Sequence, residues 1–329
     1  SNNQAILSIN EDNLNNLNAQ HPKQIFRRLS ATWISRGSGQ EHLTAIRSPI
    51  LTGPGACGSF LLLEDGLPIR PSGFCNVNGL IEAPFEIAKQ IEVIKGPASS
   101  RYGANAMHGV INIISKPVNS ENKMYLSIGP NNYKNLKLKV GNKKNISIDG
   151  FFSNNDGFRN ASGYDQQKLK FQSSFFIASW KAKLNATLTN LNQETAGYIN
   201  GFNSYKNENL SKLNFNPDAY RDANSQKISI SISQIEDNIL TSVTPYLRLN
   251  DMNFLQHYLP GTPMEKNSHI STGLIMQQII EYDTFNVIKG IQVDLAKSEI
   301  MQIQKNNLTT SSAFNNATRP KGKHYDYKV

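Results

Sequence analysis

The chain of 329 residues has no apolar run of the ~18 residues that a membrane-crossing helix needs, and its mean hydropathy is −0.44. A helical bundle in a bilayer is therefore excluded. A membrane barrel is not, because barrel strands alternate lipid-facing apolar with lumen-facing polar residues and average to a polar value. Charged residues reach only 18% and hydrophobic residues 38%, which fits neither a disordered chain nor a helical membrane protein. The net charge is +9, yet Lys and Arg are scattered, with short clusters such as Lys143-Lys144 and Lys321-Gly322-Lys323. There is no basic helix face and no aromatic-basic array, so nucleic acid is not an expected partner. Lys serves instead as a general polar residue beside abundant Asn and Ile, and a positive lumen that attracts an anion is the weaker alternative. Phosphate-loop chemistry is missing too: no Gly-Lys-Ser/Thr follows Gly96, Gly103 or Gly109. A G-x-S-x-G elbow is absent, and His108 has no evident acidic partner for Ser99 or Ser100, so no catalytic residue is expected.

Cysteine is scarce, with only Cys57 and Cys75. In an exported chain a disulfide is the natural reading, closing a loop worth ~3 kcal/mol in the chain-entropy model. Two separate buried thiols, or a metal site with His42 or His108, are the alternatives. No C-x-x-C or H-x-x-x-H spacing supports metal. The N-terminus shows neither a basic region nor an apolar core of signal-peptide type.

What is present falls into two textures. Residues 1–120 are rich in Gly and Pro and mix short strands with helical segments. Ala5–Ile9 reads as a strand, Asn10-Glu11-Asp12 starts a helix with Leu14 and Leu17, and Pro22 opens a second with Ile25, Phe26 and Leu29. An irregular stretch runs from Gly37 to Gly58. Phe60–Leu63 is a buried strand closed by the turn Glu64-Asp65-Gly66, and a helix is expected near Glu82–Gln90. Residues 121–329 alternate with period two: Asn135–Val140, Ile146–Asp149, Lys168–Phe171, Lys183–Leu188, Lys227–Ile232, Val243–Leu249, Leu274–Tyr282, Phe285–Leu295 and His324–Val329, about nine strands. Short turns such as Gly141–Lys144 alternate with long loops, Gly197–Ser225 and Leu255–Thr272, as in an outer-membrane barrel. A soluble β-sandwich alternates as well. The apolar face here, however, carries single Ile, Leu, Ala or Val where a sandwich core would repeat bulky residues.

The stretch Ile91–Lys116 joins the two textures. Ile91–Lys95 is a strand, Gly96-Pro97 turns it, and Ala98–Tyr102 forms a short helix whose end suits Gly103. Val110–Ser115 is the return strand. With Ile91–Ile94, Lys95-Gly96-Pro97, Tyr102-Gly103 and Gly109–Ile114, it resembles the signature of the plug domain of TonB-dependent outer-membrane receptors. Lys95 stands where that family usually has Arg. Ser35-Arg36-Gly37, Ile46-Arg47 and Leu62–Pro68 support the likeness, as do Arg36–Thr44 and Gly55–Cys57, which resemble a subgroup of these receptors.

The resemblance implies an α+β plug domain over 1–120 followed, over 121–329, by the N-terminal part of an antiparallel transmembrane β-barrel, 22-stranded in the family. It implies active uptake of a scarce solute, with an iron–siderophore complex first, and cobalamin, another nutrient or a passive plugged channel as alternatives. No enzyme activity, metal or cofactor is implied. Partners would be TonB, through a segment upstream of Ser1, and outer-membrane lipid with lipopolysaccharide. The plug would sit on the periplasmic and lumen side. The barrel portion is too short for the full strand set and ends without the usual terminal aromatic. Ligand contacts are expected from apical plug residues Arg36, Gln40, Arg47, Arg70, Phe74, Asn76 and Asn78. Plug-to-barrel salt bridges are an equal reading for the three arginines. His42 and His108 are expected to be solvated or hydrogen-bonded. Glu92, Lys95, Gly96, Pro97, Tyr102, Gly103, Gly109 and Asn112 are expected to be structural.

Overall fold

A computed structural model describes residues 5–30, 32–47, 59–74, 78–142, 144–259, 261–303 and 325–328. The N-terminal domain is built on a five-stranded sheet: β1 (Ala5–Asn10), β4 (Phe60–Glu64), β5 (Leu67–Pro68), β6 (Gln90–Lys95) and β7 (Gly109–Ile114), in the order β1-β6-β7-β4-β5. Only β4 and β7 run parallel, joined by the long crossover between them. A two-stranded ribbon, β2 (Thr32–Ile34) with β3 (Thr44–Ile46), stands beside the sheet.

Strand alternation divides the core. Phe60 and Leu62 pack with Ile91, Val93, Ile111 and Ile113 under two helices, α1 (Glu11–Leu17) and α2 (Pro22–Phe26). Leu61 and Leu63 turn the other way, onto Ile94, Val110, Ala98 and Ala106 beside α3 (Ser99–Tyr102). The helix starts follow the sequence. Asn10 caps α1 by accepting from Asn13 N, and His21 with Gln24 forms a capping box ahead of Pro22. Leu29 lies past the end of α2. The helix expected near Glu82–Gln90 is instead two 3-10 turns, Gly79–Ile81 and Phe85–Ile87. Pro84 lies between them, and a proline pushes the preceding residue out of α geometry.

The remaining strands form one antiparallel sheet of ten, in sequence order from β8 to β17: Lys123–Gly129, Tyr133–Gly141, Ile146–Asn155, Tyr164–Ile177, Trp180–Glu194, Tyr220–Glu236, Ile239–Leu255, Met264–Glu281, Asn286–Ile303 and Tyr325–Lys328. A further helix, α4 (Glu208–Lys212), lies in the long β12–β13 connection. All nine period-two runs contribute to this sheet, the last through Tyr325–Lys328, with His324 and Val329 outside the described residues. The first strand, β8, is not among them, because Tyr125 interrupts its Met124-Leu126-Ile128 alternation. The observed strands also extend well beyond the alternating runs.

Register explains the difference. One lateral row on the outer face reads Val140, Ile148, Phe171, Ala186, Ile228, Leu247, Thr272 and Leu295 across eight strands. Ile228 and Leu295 in that row are 43% and 67% exposed, as an apolar belt facing lipid would be. Beyond the belt, as in Arg221–Gln226, both faces are polar, so periodicity vanishes while the ladder continues.

Candidate functional site

The inner face of the long sheet tells the other half. Its matching row reads Lys123, Lys139, Asp149, Lys170, Thr187, Lys227, Arg248 and Ser271. The N-terminal domain lays the turn between β4 and β5 along these cations. Glu64, 2% exposed, accepts from Lys170 Nζ at 2.6 Å and Thr187 Oγ1 at 2.7 Å through Oε1, and from Lys227 Nζ through Oε2. Asp65 takes Lys170 Nζ at 2.6 Å. The Pro68 carbonyl accepts from Arg248 Nη1 at 2.9 Å, while Nη2 of that arginine grips both Asp294 oxygens at 2.6 Å.

This turn is held from behind by β7. Gly66 N donates to Asn112 Oδ1 at 3.1 Å, Asp65 N to the Ile113 carbonyl at 2.9 Å, and Ser115 donates through N and Oγ to the Asp65 carboxylate. The motif strand thus positions the acidic turn against the wall. Gly109 begins that strand because nothing larger fits: a Cβ there would stand 2.6 Å from the Ile94 carbonyl oxygen and 2.8 Å from Ile46 Cγ2. Burial alone would raise the Glu64 carboxyl, but Lys170 and Lys227 hold it down at about 2.

Further ties cross the interface. Lys168 Nζ meets both Glu86 oxygens at 2.9 Å and the Ala83 carbonyl at 2.8 Å. The Ser38–Glu41 tip of the β2–β3 ribbon docks on Gln193 and Arg221: Gln40 N donates to Gln193 Oε1 at 2.6 Å, Gln193 Nε2 to Ser38 O at 3.1 Å, and Arg221 Nε to Glu41 Oε1 at 2.9 Å. Ile81 packs into Tyr164, Leu191, Ala223, Met252 and Phe254.

A family model described as the TonB-dependent Receptor Plug Domain matches residues 1–110. Residues 1–110 are a TonB-dependent receptor plug domain. The strands after it have the fold of the barrel that accompanies such plugs. The ferric yersiniabactin uptake receptor FyuA from Yersinia pestis superposes with a TM-score of 0.69 at 13% identity over 92% of this chain and 50% of its own. The unliganded ferric citrate transporter FecA gives 0.73 at 14% over 97% and 51%. The copper transporter OprC gives 0.67 at 13% over 92% and 48%. The chain spans about half the length of these structures.

The sequence-derived contact residues are distributed over the plug. Arg36 is exposed on the docking ribbon. Gln40 is buried, its Nε2 donating to the Gln20 carbonyl at 2.8 Å. Arg47 is exposed, with φ of 48°, and its guanidinium reaches toward Gly96. Arg70 is buried on Glu82 within the plug and lies over the Phe74 ring at 5.5 Å. Phe74 in turn meets His269 of the barrel wall edge-on at 4.8 Å. Asn78 Oδ1 accepts from His42 N at 3.2 Å. The structure therefore brings Arg70 and Phe74 together against the wall and leaves Arg36 and Arg47 apart. Asn76, Cys57 and Cys75 lie outside the described residues, and with them the disulfide. Of the structural set, Glu92 accepts from Gln90, Lys95 reaches Ser30 Oγ at 3.4 Å, and Gly96 and Gly103 have φ of 99° and 80°. Tyr102 packs on the second core cluster, which Pro97 leads into.

His42 is buried, not solvated, with Nδ1 2.9 Å from the Gln40 carbonyl, and His21 Nε2 is 3.1 Å from the Glu41 carbonyl. Burial pushes His21 down to about 4 and His42 to about 3, outweighing carbonyl contacts that favour charge. The ordinary value is 6.5. As pH falls below it, the unfolded chain takes up protons that the folded plug refuses, so stability is lost from about pH 6.5 down through 4 and 3. The plug is expected to melt progressively lower over that range. Replacing His21 and His42 by Gln should flatten the slope between about pH 6.5 and 4.5, and an unchanged slope in thermal melts would remove these histidines as its cause.

The functional residues that sequence reading missed are Glu64, Glu86, Lys168, Lys170, Lys227 and Arg248. Their available signal was lysine on alternate positions, Lys137 with Lys139 and Lys168 with Lys170, which read equally well as a solvated face.

Proposed function

We propose that the protein is a TonB-dependent outer-membrane receptor for active uptake of a scarce solute, most directly an iron–siderophore complex, with its domain boundary near residue 120. The observation that carries this reading is the seating of the plug on the barrel wall through ion pairs from Glu41, Glu64, Asp65 and Glu86, of which Glu64 and Glu86 are buried. A plug held this way has to be moved before cargo passes, and movement needs an external energy source, the role assigned here to TonB. The ferric cargoes of FyuA and FecA favour iron over the copper of OprC. Arg36, Gln40, Arg47, Arg70, Phe74, Asn76 and Asn78 are proposed as ligand contacts. Outer-membrane lipid and lipopolysaccharide are the proposed surroundings of the apolar belt.

Radioiron supplied as a ferric siderophore to cells with and without the gene tests the reading. Accumulation should require both this protein and TonB. Uptake that continues undiminished without TonB would assign a passive channel instead. Growth restored by cobalamin, with no iron phenotype, would replace the cargo.

A further inference from the structure

The outer face of the long sheet changes character over three successive rows. Leu247, Thr272 and Leu295 stand side by side, then Leu249, Ile270 and Lys297, then Asp251, Ser268 and Glu299. The first row belongs to the apolar belt. The third is polar throughout and lies toward the long β12–β13 and β14–β15 connections, the extracellular end of such barrels. Two grooves follow these rows. The lower, of about 370 Å³, runs between Leu247, Ile270 and Leu295 over the shorter Thr272. The upper, also about 370 Å³, adds Asn224, Gln226, Asp251, Ser268 and Glu299. Ile270 and Lys297 line both, so the two are continuous.

The side chains sort by chemistry along this path. Thr272 donates its hydroxyl to the Tyr246 carbonyl at 3.1 Å, so it brings no free donor to the lower groove. Lys297 is exposed at the junction, and among the described residues its ammonium has neither an ion pair nor a hydrogen bond. Beyond it come two amides, a hydroxyl and two carboxylates, groups that exchange hydrogen bonds with hydroxyls. Ser268 lies four residues past Thr272, about 13 Å along the strand, a span longer than a phosphate alone would fill. An acyl chain, a phosphate and a sugar would meet their partners in that order. A phospholipid with an amine would use Lys297 and a carboxylate, but not the Asn224 and Gln226 amides across the groove.

We infer that this outer path holds one phosphorylated glycolipid of the membrane's outward leaflet, with an acyl chain along Thr272, a phosphate on Lys297 and sugar hydroxyls on the polar row above. The inference rests on the membrane reading given above and is independent of the cargo.

Native mass spectrometry of the full-length barrel in detergent, titrated with bis-phosphorylated lipid A, tests this. The wild type should bind one lipid A. Lys297→Glu should weaken binding about tenfold, the scale of one lost charged hydrogen bond. Thr272→Phe, which fills the lower groove, should weaken it as well. Lys289→Glu, the same charge change near the start of β16, should not. Lipid A stripped of phosphate should bind the wild type as weakly as intact lipid A binds Lys297→Glu. Equal affinity of the wild type and Lys297→Glu, or phosphatidylethanolamine that displaces lipid A at equal concentration, overturns the proposal. Should Thr272→Phe fail to fold, the two lysine variants decide alone. Failed iron uptake with lipid A binding intact would remove the cargo and leave this site, whereas lost binding with uptake intact would remove only the site.

Discussion

Replacing Glu64 by Ala is expected to cost about 3–5 kcal/mol of plug stability, the range for removing one partner from a buried ionic cluster. Lys227 would be left without its carboxylate, while Lys170 would keep Asp65 and Ser115. The loss comes from the charge left behind more than from the contact removed. Combining Glu64→Gln with Lys227→Met should therefore recover most of the stability, although it deletes the same salt bridge. Thermal unfolding and limited proteolysis of the plug read this directly, and cells should admit large antibiotics when the plug loosens. If the alanine variant melts with the wild type, the acidic turn does not hold the plug. The pH sign is also determined. A carboxyl lowered to about 2 contributes stability that is complete above its ordinary 4.5 and is lost as pH falls through 2, below most of the histidine window.

Gly109→Val is expected to cost about 3 kcal/mol, at the upper end for overpacking a well-filled site. The added Cβ would meet the Ile94 carbonyl oxygen, a backbone atom of the paired strand β6 that cannot rotate aside. Strand β7 would have to shift, and with it Asn112 and the turn that carries Glu64. Gly66 provides the contrast. It has φ of 82°, but no atom lies within 4 Å of the place a Cβ would take. Gly66→Ala should therefore cost only the left-handed strain of about 1–2 kcal/mol. Equal losses in denaturant melts would mean that the close approach at Gly109 is relieved without moving the strand.

The fold was legible because each layer leaves a local mark. Asn10 and Pro22 announce helix starts, Phe60–Leu63 a buried strand, and single apolar residues at period two a sheet with one apolar face. Strand length was not legible: the N-terminal part of β13, Arg221–Gln226, is polar apart from Ala223 and carries no periodic signal. The short helix expected after Glu82 failed because Pro84 breaks the helical ladder there, and the two turns that replace it bring Glu86 to Lys168.

The sequence by itself determined the architecture and the motif, since turn chemistry, capping and strand alternation act within a few residues of one another. It also marked Gly109 and Asn112 as structural without saying what they support. Only the tertiary structure decided that Asn112 braces the acidic turn, that Glu64 is shared by Lys170 and Lys227, and that Lys297 joins an apolar groove to a polar one. The plug-to-wall pairings join residues far apart in the chain. They depend on strand register and on how the plug sits against the wall, and a lysine's place in an alternating run looks the same whether it faces water or a carboxylate.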